Sequence, residues 1–316
     1  MANESYTTEE VAKLLKISKL TVYDLLKKGE LPSYRVGKQM RVDAADLEAF
    51  KLRSKGGAVS EQTAPLRLPQ AAKPVPGSLS IERPLVITGQ DISLDILSKH
   101  MEKHSAGIRP LRSYNGSMDS LVSMYRGEAD IVSTHLLDGD SGQYNLPYIR
   151  KLFVGQSYVV ARLLSRSAGL YVKKGNPKKI SDWEDLAKPG VRIVNREKGS
   201  GARVLLDEQL RIRDYQASRL GGYEHEENTH LAVAGRVASG EADAGVGIEK
   251  AAQLVGGIDF IPLIQEKYDL VMLKRPDNAQ WIESVLAIIR SESFKSELQM
   301  IQGYDLSQTG QILLDT

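Results

Sequence analysis

Residues 6–50 read YTTEEVAKLLKISKLTVYDLLKKGELPSYRVGKQMRVDAADLEAF, and their pattern defines the first of two folded regions. Thr7 stands three residues before Glu10, the spacing at which a hydroxyl and a carboxylate cap a helix start reciprocally. Val11, Leu14 and Leu15 then form an i, i+3, i+4 apolar stripe. The stripe breaks at Lys16-Ile17, and Ser18 is placed to cap a second helix. Val22, Leu25 and Leu26 repeat the stripe up to Gly29. Two short helices around a tight turn are the helix-turn-helix layout. Alternation on either side of Gly37-Lys38 predicts a small hairpin, or wing, and Asp43 is placed to cap a last helix over 44–52.

The polar face of the second helix carries Ser18, Lys19, Thr21, Tyr23 and Lys27, and the wing adds Arg35, Lys38 and Arg41. A recognition helix enters the major groove by its first turn, and basic wing residues reach phosphates. Residues 1–55 hold 11 lysines and arginines against 8 acids, whereas the rest holds 31 against 32. A basic module attached to a near-neutral body suits a reader of double-stranded DNA. The stretch resembles the excisionase-type, MerR-like winged helix-turn-helix over nearly its full length. Thr8-Glu-Glu-Val-Ala12, Thr21-Val-Tyr23, Gly29-Glu-Leu-Pro32 and Arg35-Val-Gly37 with Arg41 carry the resemblance. Leu20 and Asp24 stand at helix positions often basic in that family, and Met40 where an aromatic is common.

Outward from this module, residues 56–81 contain Pro65, Pro69, Pro74 and Pro76, no aromatic residue and no periodicity. They read as a semi-extended linker. The remaining body, 82–316, brings the chain to 316 residues. No apolar run reaches the ~18 residues of a membrane helix. The first residues, MANESYTTEEVAK, lack a basic and an apolar signal region, so a cytoplasmic protein is expected. The absence of cysteine excludes disulfide scaffolds, thiolate metal sites and cysteine nucleophiles.

The body alternates strands and helices. Pro84–Gly89 reads as a strand and Ser93–His104 as a helix; Ile108–Tyr114 is a second strand, with a helix over Met118–Arg126 and a strand over Ile131–Thr134. The rhythm recurs: strand Val191–Val194, helix Ala202–Leu210, helix Leu231–Gly240 and strand 242–246. Two α/β lobes with parallel strands follow, and ligands in such sheets sit beyond the strands' carboxyl ends. Long strand candidates at Tyr158–Lys173 and Lys267–Leu273 are placed to cross between the lobes.

Asn195-Arg-Glu-Lys-Gly-Ser-Gly-Ala-Arg203 follows a strand and opens a helix. Its glycines let backbone approach a ligand, Ser200 offers a hydroxyl and Arg203 a charge, which is anion chemistry. It is not a Walker A loop, since no GK[ST] follows. Asn115-Gly-Ser117 repeats the logic in the first lobe. Asp130 and Asp243 each follow Gly-Glu-Ala and are expected to orient local backbone. His225 and His230 flank Glu226-Glu227, but Asn228-Thr229 reads as a helix cap and no metal set is expected.

The body resembles the substrate-binding-protein-like domain related to periplasmic molybdate-binding proteins, a two-lobed type II periplasmic-binding-protein-like α/β fold. Gly116–Leu121, Arg126–Asp130, Thr134–Asp138, Tyr144-Asn145, Asn195–Arg203, Thr229–Val233, Ser239–Gly245 and Gly303–Leu306 with Thr309-Gly310 carry the resemblance. At the first strand end, Thr88-Gly-Gln-Asp91 departs from the Ser/His-rich residues common there. Expected ligand-binding residues are Gly89, Gln90, Asp91, Ser93, Ser117, Thr134, His135, Tyr144, Asn195, Ser200, Gly201, Arg203 and Tyr268. The resemblance implies molybdate or tungstate as ligand; a sulfate-like anion or small carboxylate is the alternative. No cofactor is expected. Without a G-x-S-x-G elbow, cysteine or paired carboxylates, catalysis is not expected. The sequence therefore predicts a one-component transcriptional regulator, dimeric so as to read paired half-sites. A recombination accessory factor is the alternative suggested by the first module alone.

Overall fold

The computed structural model describes residues 5–27, 31–36, 39–44, 46–47, 50, 84–104 and 108–316, without the side chains of 27, 35, 36 and 39. The chain divides into two units, Met1–Ser78 and Leu79–Thr316. The linker expected over 56–81 falls outside the described residues.

In the first unit, helices Thr8–Leu15 and Lys19–Lys27 flank the turn. The capping box forms as its spacing demands: Thr7 accepts from the Glu10 N–H, and the Glu10 carboxylate accepts from the Thr7 N–H at 2.8 Å. Ser18 accepts from the Thr21 N–H at 3.1 Å and so caps the second helix. Strands Tyr34–Val36 and Gln39–Asp43 are antiparallel, and Ser5–Thr7 adds a third strand on the far side of 39–43. Val11, Val22, Leu31, Val42 and Leu47 form the core.

Among the described residues, the second unit is built on a ten-stranded mixed sheet. Strands Pro110–Ser113, Leu85–Thr88 and Ile131–Thr134 run parallel in one lobe. Strands Ala244–Ile248, Ile193–Arg196 and Glu226–Glu227 run parallel in the other. Two long antiparallel strands, Tyr158–Lys173 and Ile258–Leu273, join them. The second begins nine residues before the expected start, because Pro262 and its neighbours continue the ladder through a register shift at Pro262/Ile264. Strands Tyr304–Asp305 and Ile312–Asp315 return to the first lobe's half of 158–173. The expected all-parallel lobes are thus interrupted by antiparallel strands where the chain crosses over.

Each lobe has its own apolar core. In the first, Ile87, Leu94, Leu97, Ile131 and Leu270 pack with Val285 and Ile289 of helix Ala279–Arg290. In the second, Leu170, Trp183, Ile193, Leu205 and Val246 pack together. Asp130 and Asp243 act on backbone as expected: each carboxylate accepts from a strand N–H, of Val86 at 2.9 Å and Arg192 at 2.8 Å. The loop 137–144 leaves the first lobe, and Leu137 is buried in the core of the second. Asn145 anchors that loop. It accepts from the Leu136 N–H at 2.7 Å and donates to the Lys267 carbonyl at 3.1 Å and the Asp269 carboxylate at 2.7 Å.

Candidate functional site

The strand ends of both lobes meet at one crevice. Gly89, Gln90, Asn115, Gly116, Ser117, Ser133 and His135 line it from the first lobe, Arg196, Ser200 and Gly201 from the second, and Tyr268 from the long strand. The helices beginning at Ser117 and Gly201 point their N-termini into it. The lobes are pressed together here. The Met118 N–H donates to the Gly199 carbonyl at 2.9 Å, and a Cβ on Gly116 would sit 2.9 Å from that oxygen. Gly116 is required by this close approach of backbones. The remaining space is about 10 Å³, room for roughly one water.

Beside the crevice the cleft widens to a cavity of about 570 Å³. Its polar lining is Gln90, Asp91, His135, Arg166, Asn228, Thr229, His230, Lys250 and Tyr268. Its apolar lining is Ile92 and Tyr114 from the first lobe and Leu231, Ile248, Ala251 and Leu254 from the second.

Two of these residues, Asp91 and Arg166, belong to a buried ion network. Arg166 donates to Glu266 at 2.8 and 2.6 Å and to Asp91 on its other side. All three side chains are buried. Asp91 also accepts from the Ser93 N–H at 2.8 Å and the Tyr304 hydroxyl at 2.7 Å. Burial opposes the Asp91 charge, but Arg166 and these donors outweigh it and keep its pKa below the usual carboxylate value. Burial raises the Glu266 pKa despite Arg166. Arg166 also lies over the Tyr268 ring, 4.7 Å from its centroid, and burial pushes the Tyr268 pKa to about 12.

His135 stacks on Tyr268, and its Nδ1 lies 3.0 Å from the Ser117 hydroxyl. Burial, then Arg166 and Arg196, lower its pKa well below the ordinary value, so it is neutral at pH 7. Burial and the same arginines do the same to His230, whose Nδ1 is buried without a partner. Arg196 is spent bridging the lobes: it donates to Gln90 at 2.7 Å, to Glu197, and to the carbonyls of Glu227 and Asn228.

The structure gathers part of the expected ligand set. Gly89, Gln90, Ser117, His135, Ser200, Gly201 and Tyr268 line the crevice, and Asp91 lines the cavity. The other five line neither. Arg203 is turned from the cleft because Asp207, one helical turn on, and Glu226 pair with it at 3.2 and 3.0 Å, and its guanidinium stacks on Tyr223. Asn195 is buried against strand ends, donating to the Tyr223 carbonyl and accepting from the Arg196 N–H. Tyr144 packs against the second lobe's core. Ser93 and Thr134 are buried in the first lobe, each hydroxyl without a partner. Ser200 is in the crevice, yet its hydroxyl already donates to the Glu197 carbonyl at 2.9 Å and accepts from the Arg203 N–H. Sequence reasoning did not select Arg166, Glu266, Arg196, Tyr304 or Lys250. No group of three or more metal-ligating side chains occurs among the described residues.

In the first unit, Lys19 pairs with Glu9 at 2.5 Å, both exposed. The Thr21 hydroxyl lies 2.8 Å from that of Ser18, and Tyr23 is exposed. Arg41 is not a free wing cation: its guanidinium donates to the Ser5 hydroxyl at 3.2 Å, across the third strand. Lys38 and the side chains of Lys27 and Arg35 lie outside the described residues.

Residues 5–55 match the family described as helix-turn-helix domain, and residues 98–290 the family described as PBP superfamily domain. Over 313 residues the chain is 49% identical to the uncharacterized protein YvgK of Bacillus subtilis (strain 168), spanning 99% of this chain and 98% of that one. It is 34% identical over 100 residues to the sulfate-binding protein of Escherichia coli (strain K12), which is 29% of each chain. A putative phosphate ABC transporter substrate-binding protein with bound phosphate from Clostridium perfringens superposes with a TM-score of 0.53 at 14% identity, covering 71% of this chain and 99% of that one. At that identity the likeness establishes the fold.

Proposed function

Since the chain belongs to the PBP superfamily and carries a helix-turn-helix unit, we propose that it is a one-component transcriptional regulator that binds a small anion between the lobes of its second unit. The observation that supports this reading is the cleft itself, which is lined by strand ends and helix starts from both lobes. A ligand held there touches both lobes at once and so favours the closed arrangement by its differential affinity. A near-complete switch between two arrangements requires about 5.5 kcal/mol of such preference. The helix N-termini at the crevice and Lys250 at the cavity speak for an anion, as does the partial likeness to a sulfate-binding protein. Molybdate and tungstate remain proposals carried by the family resemblance. The DNA partner follows from the first unit, where Ser18, Thr21 and Tyr23 stand at or near the start of the second helix. Dimerisation and a cytoplasmic setting belong to the same proposal.

The test is thermal unfolding of the purified protein with molybdate, tungstate, sulfate, phosphate and small carboxylates, followed by DNA binding with and without the stabilising compound. A ligand at 100 times its Kd adds about 2.7 kcal/mol. Stabilisation by an anion together with altered DNA affinity supports the regulator. DNA affinity that does not fall with rising salt would exclude phosphate contacts by the first unit.

A further inference from the structure

We infer that the 570 Å³ cavity takes a small organic carboxylate, its head at Lys250 and its apolar body against Ile92, Tyr114, Leu231 and Leu254. The inference rests on reading the cleft as the ligand site and names the ligand class.

Size is the first argument. The crevice between the paired loops holds about 10 Å³, whereas the neighbouring cavity lies within the ~300–1,000 Å³ of pockets for organic ligands. The crevice is closed by the protein's own Met118–Gly199 and Gln90–Arg196 hydrogen bonds. The cavity is open and bordered by both lobes.

The second argument is the character of the walls. Tyr114, Ile92, Leu231 and Leu254 are 61, 46, 48 and 68% exposed, two from each lobe, and they face one space. A bare tetrahedral oxyanion has no use for apolar side chains held in water at the entrance. A ligand with a hydrocarbon body buries them on binding.

Third is the supply of free polar groups. Arg166 is taken by Asp91 and Glu266, and Arg196 by Gln90, Glu197 and two carbonyls. Lys250 differs. Among the described residues it has no ion pair, and its ammonium lies over the Tyr304 ring, 5.4 Å from the centroid. His230 also lines the cavity, with its Nδ1 buried and without a partner. One cation without an ion pair fits a single carboxylate, and it leaves the apolar side chains of the cavity for the rest of the molecule.

Calorimetry on the full chain with acetate, hexanoate and phenylacetate tests this, with hexylamine, sulfate and molybdate run alongside. Affinity should rise about fourfold per added methylene from acetate to hexanoate, phenylacetate should bind, and hexylamine should not. Lys250→Gln should weaken every carboxylate by about 10- to 100-fold. Leu254→Asn, at an exposed position that leaves folding intact, should flatten the chain-length series while sparing acetate. Carboxylate affinity independent of chain length, or unchanged in Lys250→Gln, overturns the inference. Binding of sulfate or molybdate without any carboxylate overturns it and leaves the cleft as the ligand site. Binding of no anion at all removes both readings.

Discussion

Replacing Gly116 by alanine should hold the two lobes apart without unfolding either. Gly116 sits at φ −64° and ψ 165°, where alanine is unstrained, so the substitution acts only through space. Its Cβ would lie 2.9 Å from the Gly199 oxygen, 3.0 Å from the Gly199 carbonyl carbon and 3.0 Å from the Ser200 Cα. All three are backbone atoms at the start of a helix and cannot turn aside as a side-chain end can. Relief therefore comes from opening, which breaks the Met118–Gly199 hydrogen bond, worth about 1 kcal/mol. Overpacking adds about 1–3 kcal/mol against the closed form. The sum, about 2–4 kcal/mol, shifts the open–closed ratio by roughly 30- to 1,000-fold. The chain has no cysteine, so Val154→Cys and Glu184→Cys can carry spin labels on exposed sites, one on each lobe. Their distance distribution should move to longer values in Gly116→Ala, with the melting temperature little changed. Gly235→Ala, with nothing within 4 Å, is the control and should leave the distribution as it was. An unchanged short distance in Gly116→Ala would refute the argument that this backbone approach governs closure.

Three further outcomes follow from the same structure. Arg166→Met leaves Asp91 and Glu266 buried without their cation and should cost about 3–5 kcal/mol in urea unfolding, partly restored by adding Asp91→Asn and Glu266→Gln. His135 and His230 have folded pKa values below the unfolded value of about 6.5, so the unfolded chain binds more protons in acid. Their contribution is complete above pH 6.5 and is lost on acidification below it, by up to about 1.4 kcal/mol per histidine per pH unit; a melting temperature flat from pH 7 to 5 would contradict this. Asn145→Ala removes three buried side-chain hydrogen bonds at the loop between the lobes and should destabilise by about 2–4 kcal/mol, read by the same urea titration.

What could be read from the sequence was what is local along the chain. The Thr7–Glu10 box, the Ser18 cap and the Thr229 cap each close within three residues, and each formed as its spacing required. The alternation of strands and helices likewise located both lobes. The ion network is different in kind. Arg166 lies 75 residues from Asp91 and 100 from Glu266; the pairing of the two long strands sets it opposite Glu266, and Asp91 reaches it from the loop after strand Leu85–Thr88. In the sequence Arg166 sits between Ser165 and Ser167 on a strand that is buried almost throughout, a position where no local pattern marks a charge as useful. Arg203 fails in the opposite way. Its motif suggested a ligand charge, but Asp207 at i+4 was a local competitor that the spacing already offered. Lys250, on a six-residue helix after Ile248, had no neighbouring motif at all.

The crevice and the cavity divide the work of closure between protein and ligand. At the crevice the contacts across the lobes are the protein's own: Met118 with Gly199, and Gln90 with Arg196 and Glu197. Away from the crevice, the Gly139 N–H donates to Glu208 at 2.6 Å, tying the loop from the first lobe to helix Gly201–Ile212. These bonds lower the free energy of closing before any ligand arrives, so the closed form need not be created by ligand contacts alone. They also give no preference among ligands, because the atoms involved already have partners. Among the described residues, discrimination is left to groups that these bonds do not engage, namely Lys250 and the four exposed apolar side chains of the cavity. A compound that engages them from both lobes adds its differential affinity to a closure the protein has already made inexpensive, and its required preference falls below the value for a fully open resting state. If so, weakening Gln90–Arg196 by Gln90→Ala should reduce hexanoate affinity without altering its dependence on chain length. A change in that dependence would mean that Gln90, which lines the cavity as well as the crevice, takes part in choosing the ligand.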